Sequence, residues 1–169
     1  YYTGAKYLDC GKPWNRISAA YIDRSPAQEW AVAVLACVFT AADAQEWTRF
    51  RGPNGSGVSN TQTVPVKWTD SDYNWSIKLQ GRGHSSPVIW GERLFVTSCH
   101  EESETRHLHC IDTLDGSIVW TRHFEFASHK KHKNNSFASS TPCVDENHVY
   151  TVWHSKQSSP LLAFDHHGN

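Results

Sequence analysis

No methionine occurs anywhere in the 169 residues, position 1 included. A natural translation product starts with Met, so the sequence reads as a fragment or a processed piece. Five cysteines are too few for a disulfide scaffold in a chain of this length. An excess of one charge sign is missing too. Lys and Arg number 16 against 17 Asp and Glu, a formal charge of −1, which leaves no electrostatic case for nucleic acid or an acidic membrane. No apolar run approaches the roughly 20 residues a membrane-spanning helix needs. No Gly-x-Ser-x-Gly occurs, so a hydrolase nucleophile is unsupported, and no Cys-x-x-Cys-His marks haem attachment. What is present can build a core: 38% apolar residues, 20% charged, and 12% aromatic with 8 Trp. The length suits one domain, or one domain and a tail.

Residues 1–29 show no sustained strand or helix pattern and read as an unassigned leader. Residues 30–39 then form an apolar run of 10, the length of a signal-peptide h-region. Ala42-Asp43-Ala44 follows, with small residues at the two positions a signal peptidase reads. Residues 30–44 therefore predict export, to the periplasm or surface of a bacterium, with Gln45 as the new N-terminus. The basic flank is thin, since only Arg24 lies close upstream and Glu29 directly precedes the run. A start of translation downstream of residue 1 would account for the long leader and the missing Met. Two other readings stay open: a buried strand or short helix of a cytoplasmic protein, and a lipid anchor at Cys37.

Beyond Gln45 the chain predicts short strands and turns. Arg51-Gly52-Pro53-Asn54-Gly55-Ser56-Gly57 cannot be helix or central strand and reads as an irregular lead-in. After it, β-branched and aromatic runs alternate with turn residues and no stretch holds a 3.6 period, which makes the fold all-β. Pro87-Val88-Ile89-Trp90 and Arg93-Leu94-Phe95-Val96-Thr97-Ser98 flank Gly91-Glu92, a two-residue turn with Gly where a II′ hairpin needs it. A polar loop over residues 101–106 leads to a strand at 107–112. The turn Thr113-Leu114-Asp115-Gly116 leads to a fourth strand at 117–124. Such a meander of about forty residues has the size of one propeller blade.

The pattern then recurs. Pro142-Cys143-Val144 and His148-Val149-Tyr150-Thr151-Val152-Trp153 restate the first hairpin, with Pro87 and Pro142 55 residues apart. Leu161-Leu162-Ala163-Phe164-Asp165 restates Leu108-His109-Cys110-Ile111-Asp112, with Asp112 and Asp165 53 apart. Ser-Ser-Pro at 85–87 and Ser-Thr-Pro at 140–142 open the two units alike. Asn74-Trp75-Ser76-Ile77-Lys78-Leu79 reads as an isolated copy of the fourth strand, with Trp75 in the place of Trp120.

The stretch from Cys110 to Trp120 resembles the repeat of the quinoprotein-like (PQQ-like) β-propellers. That repeat runs small residue, any residue, Asp, two residues, Thr, Gly, three residues, Trp. Here Cys110 stands for the small residue and Asp115 for Thr, while Asp112, Gly116 and Trp120 keep the spacing. Ala163, Asp165 and Gly168 begin a shortened copy, and Trp47-Thr48-Arg49-Phe50-Arg51-Gly52-Pro53 resembles the mature start of secreted members. The resemblance implies a partial propeller of four-stranded antiparallel blades, about two of them in this sequence. Residues 45–83 would be the lead-in and a lone outer strand, 84–136 the first blade and an inter-blade loop, and 137–169 a truncated second blade. It implies a non-catalytic exported scaffold, as BamB-like outer-membrane assembly factors of the family are, with an unknown protein or small-molecule partner. The alternative it leaves is the N-terminal part of a PQQ-dependent alcohol or sugar dehydrogenase, with PQQ and calcium as cofactors. Active members carry an adjacent-Cys disulfide and Glu, Asn and Asp ligands; this sequence has no Cys-Cys pair, and no position matches those ligands.

The motif residues have structural work to do whatever the family. Asp112 can accept hydrogen bonds from its own turn, Gly116 supplies a left-handed position, and Trp120 offers a large flat surface to a neighbouring unit. The 11 His raise a metal reading: Cys99-His100 and His107-Leu108-His109-Cys110 face each other across a hairpin. Alternation, however, places His107 and His109 on an exposed face that needs no ligand. Cys99 and Cys110 could instead form a cross-strand disulfide after export. Residues 129–135, His-Lys-Lys-His-Lys-Asn-Asn, read as a solvated basic loop, without the interleaved aromatics of a nucleic-acid surface. Asn74-Trp75-Ser76 and Asn134-Asn135-Ser136 match the glycosylation sequon, which matters only in a eukaryotic secretory host.

Overall fold

The computed structural model describes residues 16–19, 46–61 and 65–169. The apolar run at 30–39, the Ala42-Asp43-Ala44 site and Gln45 lie outside them. Among the described residues nine strands form three antiparallel sheets and no α-helix occurs, so the chain is all-β.

The largest sheet is a meander of β3 (Val88–Trp90), β4 (Arg93–His100), β5 (Thr105–Asp112) and β6 (Ile118–Glu125), in that order. Trp90 pairs with Arg93, so Gly91 and Glu92 alone make the first turn. Gly91 takes φ +55° and Glu92 keeps the ordinary sign, as the first central position of a II′ turn demands. The next connection is shorter than expected. Glu104 adopts φ +50° and its N–H donates to the Glu101 carbonyl at 3.2 Å. Strand β5 therefore begins at Thr105, and the expected loop at 101–106 shrinks to four residues.

The second sheet consists of β7 (Cys143–Val144), β8 (His148–Val152) and β9 (Leu161–Asp165). It repeats the first three strands of the meander where the sequence placed them. The opening segments of the two units run side by side. The His84 and Ser85 N–H groups donate to the Ala138 carbonyl, and the Ser86 N–H donates to Thr141 Oγ1 at 3.0 Å.

The third sheet corrects an expectation. The strand at β2 (Trp75–Lys78) is not alone, because β1 (Arg16–Ala19) pairs with it antiparallel, Arg16 opposite Lys78. A bare strand edge presents unpaired N–H and C=O groups that another strand can satisfy. Four residues are too few to show a period, so β1 left no pattern in residues 1–29.

Strands β4 and β5 are buried on both faces. On one, Leu94, Val96 and Ile111 cluster with Trp75 and Leu79. On the other, Phe95, Leu108 and Cys110 cluster with Val88, Val144 and Val149 of the two hairpins. Six consecutive residues of each strand are buried in consequence. The expected exposed face for His107 and His109 is thereby overturned, since each is only 2% exposed. Alternation fails as a guide to exposure when neither face of a strand is wet.

The cross-strand disulfide is overturned as well. Cys99 lies opposite Arg106 and Cys110 opposite Phe95, and both thiols are free. Four residues of offset amount to about 13 Å along a strand, well beyond the roughly 7 Å limit for a bridge.

Candidate functional site

The repeat-motif residues occupy equivalent turns in the two units. Asp112 Oδ1 accepts the Leu114 N–H at 2.9 Å, and its Oδ2 accepts Arg93 Nη1 at 2.7 Å. The Gly116 N–H closes the turn onto the Asp112 carbonyl at φ +76°. In the second unit Asp165 Oδ1 accepts the N–H groups of His167 and Asn169, and Gly168 closes onto the Asp165 carbonyl at φ +87°. These bonds hold the Asp165 carboxyl below its ordinary value, the Asn169 N–H most strongly. Cys110 and Ala163 begin the two motifs but differ in setting. Cys110 is fully buried, which pushes its thiol up to about 12, whereas Ala163 is exposed on β9.

Two tryptophans dock on these turns in the same way. Trp75 Nε1 donates to the Thr113 carbonyl at 2.8 Å, and Trp120 Nε1 donates to the His166 carbonyl at 2.9 Å. Each acceptor is the residue after the motif Asp. Each indole also covers the motif Gly. A Cβ on Gly116 would lie 2.5 Å from Trp75 Cε3, and one on Gly168 would lie 3.0 Å from Trp120 Cδ2. Glycine is therefore required twice over at Gly116, by its backbone conformation and by the ring above it. Arg122, two residues beyond Trp120, adds a hydrogen bond from its Nε to the Gly168 carbonyl. The equivalence of Trp75 and Trp120 inferred from the sequence thus recurs as one contact made twice, from each unit to the next.

A second constellation was not legible beforehand. Arg106, read as the end of a polar loop, is only 4% exposed. Its position two residues before Leu108 and four before Cys110 puts it on the same buried face, which is the signal that could have found it. Its guanidinium carbon lies 4.4 Å from the centre of the Phe126 ring and 5.5 Å from that of Trp153, and its Nη2 donates to the His154 carbonyl at 2.6 Å. Arg106 Nε and Trp153 Nε1 are buried without a hydrogen-bond partner among the described residues. Both side chains line a pocket of about 100 Å³, together with His129, Lys131, Ser136 and Phe137, and among the described residues no Asp or Glu lines it. The nearby carboxylate of Glu101 is committed elsewhere, to Arg82 at 2.8 Å and Lys131 at 3.4 Å. The basic loop is accordingly more than a solvated segment: His129 and Lys131 turn inward while Lys130 and His132 stay exposed.

The histidines form a third group on the opposite face of the meander. His107 Nδ1 meets His123 Nδ1 at 2.9 Å with the rings perpendicular, which requires one nitrogen to donate and the other to accept. His109 is held by Ser98 Oγ at 2.9 Å and Thr121 Oγ1 at 3.0 Å. Burial, helped by the neighbouring imidazoles, pushes both His107 and His109 down to about 4. Among the described residues no three His, Cys, Asp or Glu side chains converge as metal ligands. The sequence has no adjacent cysteines, and among the described residues no carboxylates gather as calcium ligands would, so the described residues do not form a calcium–quinone site.

Among the described residues no helix is long and apolar enough to cross a membrane. Compared with known proteins, the chain matches no family model, and no curated sequence is similar enough to count as a relative.

Proposed function

We propose that the chain is a PQQ-like β-propeller repeat protein, exported, that serves as a binding or interaction scaffold without catalysing a reaction. The observation that carries the reading is the double docking of Trp75 and Trp120 onto the Asp-to-Gly turn of the following unit. A four-stranded meander followed by a copy of its first three strands, with their opening segments side by side, supports the same architecture. The polar groups of the motif Asp and Trp residues are spent within their own unit or on the next one, which supports a scaffold rather than an active centre.

The reading is tested with the full-length protein supplied with PQQ and calcium, following reduction of a redox dye in the presence of alcohols and sugars. The expected result is no turnover above the protein-free control. Clear turnover would overturn the scaffold and establish the dehydrogenase alternative. Export is tested by the mass of the mature protein: an N-terminus at Gln45 in the periplasmic fraction supports it, and an intact soluble chain through residues 30–44 in the cytoplasm defeats it.

A further inference from the structure

We propose that the pocket around Arg106 is a binding site for a small organic carboxylate. The inference stands on the pocket alone and is independent of the repeat-family reading.

The chemistry of the lining points to an acceptor that the protein itself does not supply. Arg106 carries a buried positive charge, and no carboxylate pairs with it among the described residues. A buried charge without a counter-ion is costly, and so is a buried N–H without an acceptor. Here the two coincide, because Arg106 Nε and Trp153 Nε1 both lack partners and belong to side chains lining one pocket. Rings of Phe126 and Trp153 lie over the guanidinium, which leaves its in-plane N–H groups to do the hydrogen bonding. Groups that only donate call for a ligand that only accepts.

Size and shape narrow the class. A pocket of about 100 Å³ holds a head group and a short stem. Its walls are part aromatic, from Phe137 and Trp153, which suits the apolar stem of an organic acid better than a hydrated tetrahedral oxyanion. A planar carboxylate also matches the planar guanidinium donor set. Lys131, paired with Glu101 at 3.4 Å and lying 5.0 Å from the centre of the Phe137 ring, is the other cationic side chain of the lining.

The test uses the isotope-labelled full chain, titrated separately with propionate, benzoate and inorganic phosphate. The nuclear magnetic resonance signals of Arg106 Nε–H and Trp153 Nε1–H are followed. The expected result is a saturable downfield shift of both signals with at least one carboxylate, in the millimolar range of Kd, and a weaker or absent response to phosphate. The Trp153→Phe variant keeps an aromatic ring, though a smaller one, and loses the N–H donor, so it should bind about tenfold more weakly, the worth of a hydrogen bond to a charged group of about 1.5 kcal/mol. Arg106→Lys keeps the charge and loses the fork, and should abolish the saturable response; where it fails to fold, the Trp153→Phe comparison decides. Absence of saturable shifts with both carboxylates overturns the site. Phosphate binding tighter than either carboxylate overturns the ligand class, and unchanged affinity in Trp153→Phe overturns the donor assignment.

Discussion

Replacing Gly116 by alanine perturbs two features of the turn at once. The backbone there has φ +76°, a conformation that costs an L-residue about 1–2 kcal/mol. The new Cβ would also stand 2.5 Å from Trp75 Cε3, closer than any carbon contact tolerates, so the indole must leave. Its departure breaks the Nε1–H bond to the Thr113 carbonyl, worth about 1 kcal/mol, and opens the cluster with Leu94 and Ile111. Together the substitution should cost about 3–5 kcal/mol, approaching the loss of a buried aromatic side chain. Gly91 supplies the control. It has φ +55° and, among the described residues, no atom within 4 Å of where a Cβ would stand, so Gly91→Ala should cost only the backbone share, about 1–2 kcal/mol. The assay is urea unfolding of the full chain followed by far-ultraviolet circular dichroism, completed by a double-mutant cycle with Trp75→Ala. Once Trp75 is truncated, Gly116→Ala should fall to the cost of Gly91→Ala. Equal costs for the two glycines in the intact protein, or an additive cycle, would refute the docking argument.

Three further outcomes follow from the same geometry. Burial holds His107 and His109 near 4, against an ordinary value of 6.5, so the native state takes up fewer protons than the unfolded chain between those values. Stability should be full above about pH 6.5 and fall as the pH drops toward 4, by about 3 kcal/mol for His109 alone at 1.36 kcal/mol per unit; urea midpoints that stay flat across this window would contradict it. Iodoacetamide should label the exposed Cys143 in the native protein and spare Cys99 and Cys110, whose thiols burial pushes up to about 11 and about 12. Mass spectrometry after brief labelling, with and without denaturant, checks it. Asp112→Ala removes the acceptor of the Leu114 N–H and the partner of Arg93, both partly exposed, and should lower stability by about 1–2 kcal/mol in thermal unfolding.

What could be read in advance follows from which constraints are local. The Gly91-Glu92 turn, the strands of both hairpins and the Asp-to-Gly turns are encoded by residues within a few positions of one another, and the structure places them where the pattern does. The pairing of Trp75 with Trp120 as equivalents was legible because Asn74-Trp75-Ser76-Ile77-Lys78-Leu79 has the local pattern of the fourth strand. The partner of β2 was not, since β1 is four residues long and lies far away in sequence. The burial of His107 and His109 escaped because alternation assumes one wet face, and the three-layer arrangement around β4 and β5 leaves none. Arg106 was hidden by its type: a cation at the end of a charged loop is ordinarily solvated. Its Nη2 bond to the His154 carbonyl and the aromatic rings around it come from distant segments, Trp153 and His154 among them from the other sheet, that only tertiary packing brings together.

The central claim, that each unit docks through its tryptophan on the Asp-to-Gly turn of the next, is tested most directly by proton–proton contacts in the labelled full chain. The Trp75 ring should show nuclear Overhauser effects to the Gly116 α-protons, and the Trp120 ring to those of Gly168. Both indole N–H protons should exchange slowly with solvent, being bonded to the Thr113 and His166 carbonyls. Contacts from both rings with slow exchange are the predicted result. An indole that exchanges freely and shows no contact with its glycine would contradict the docking, and with it the repeat architecture on which the proposed function rests.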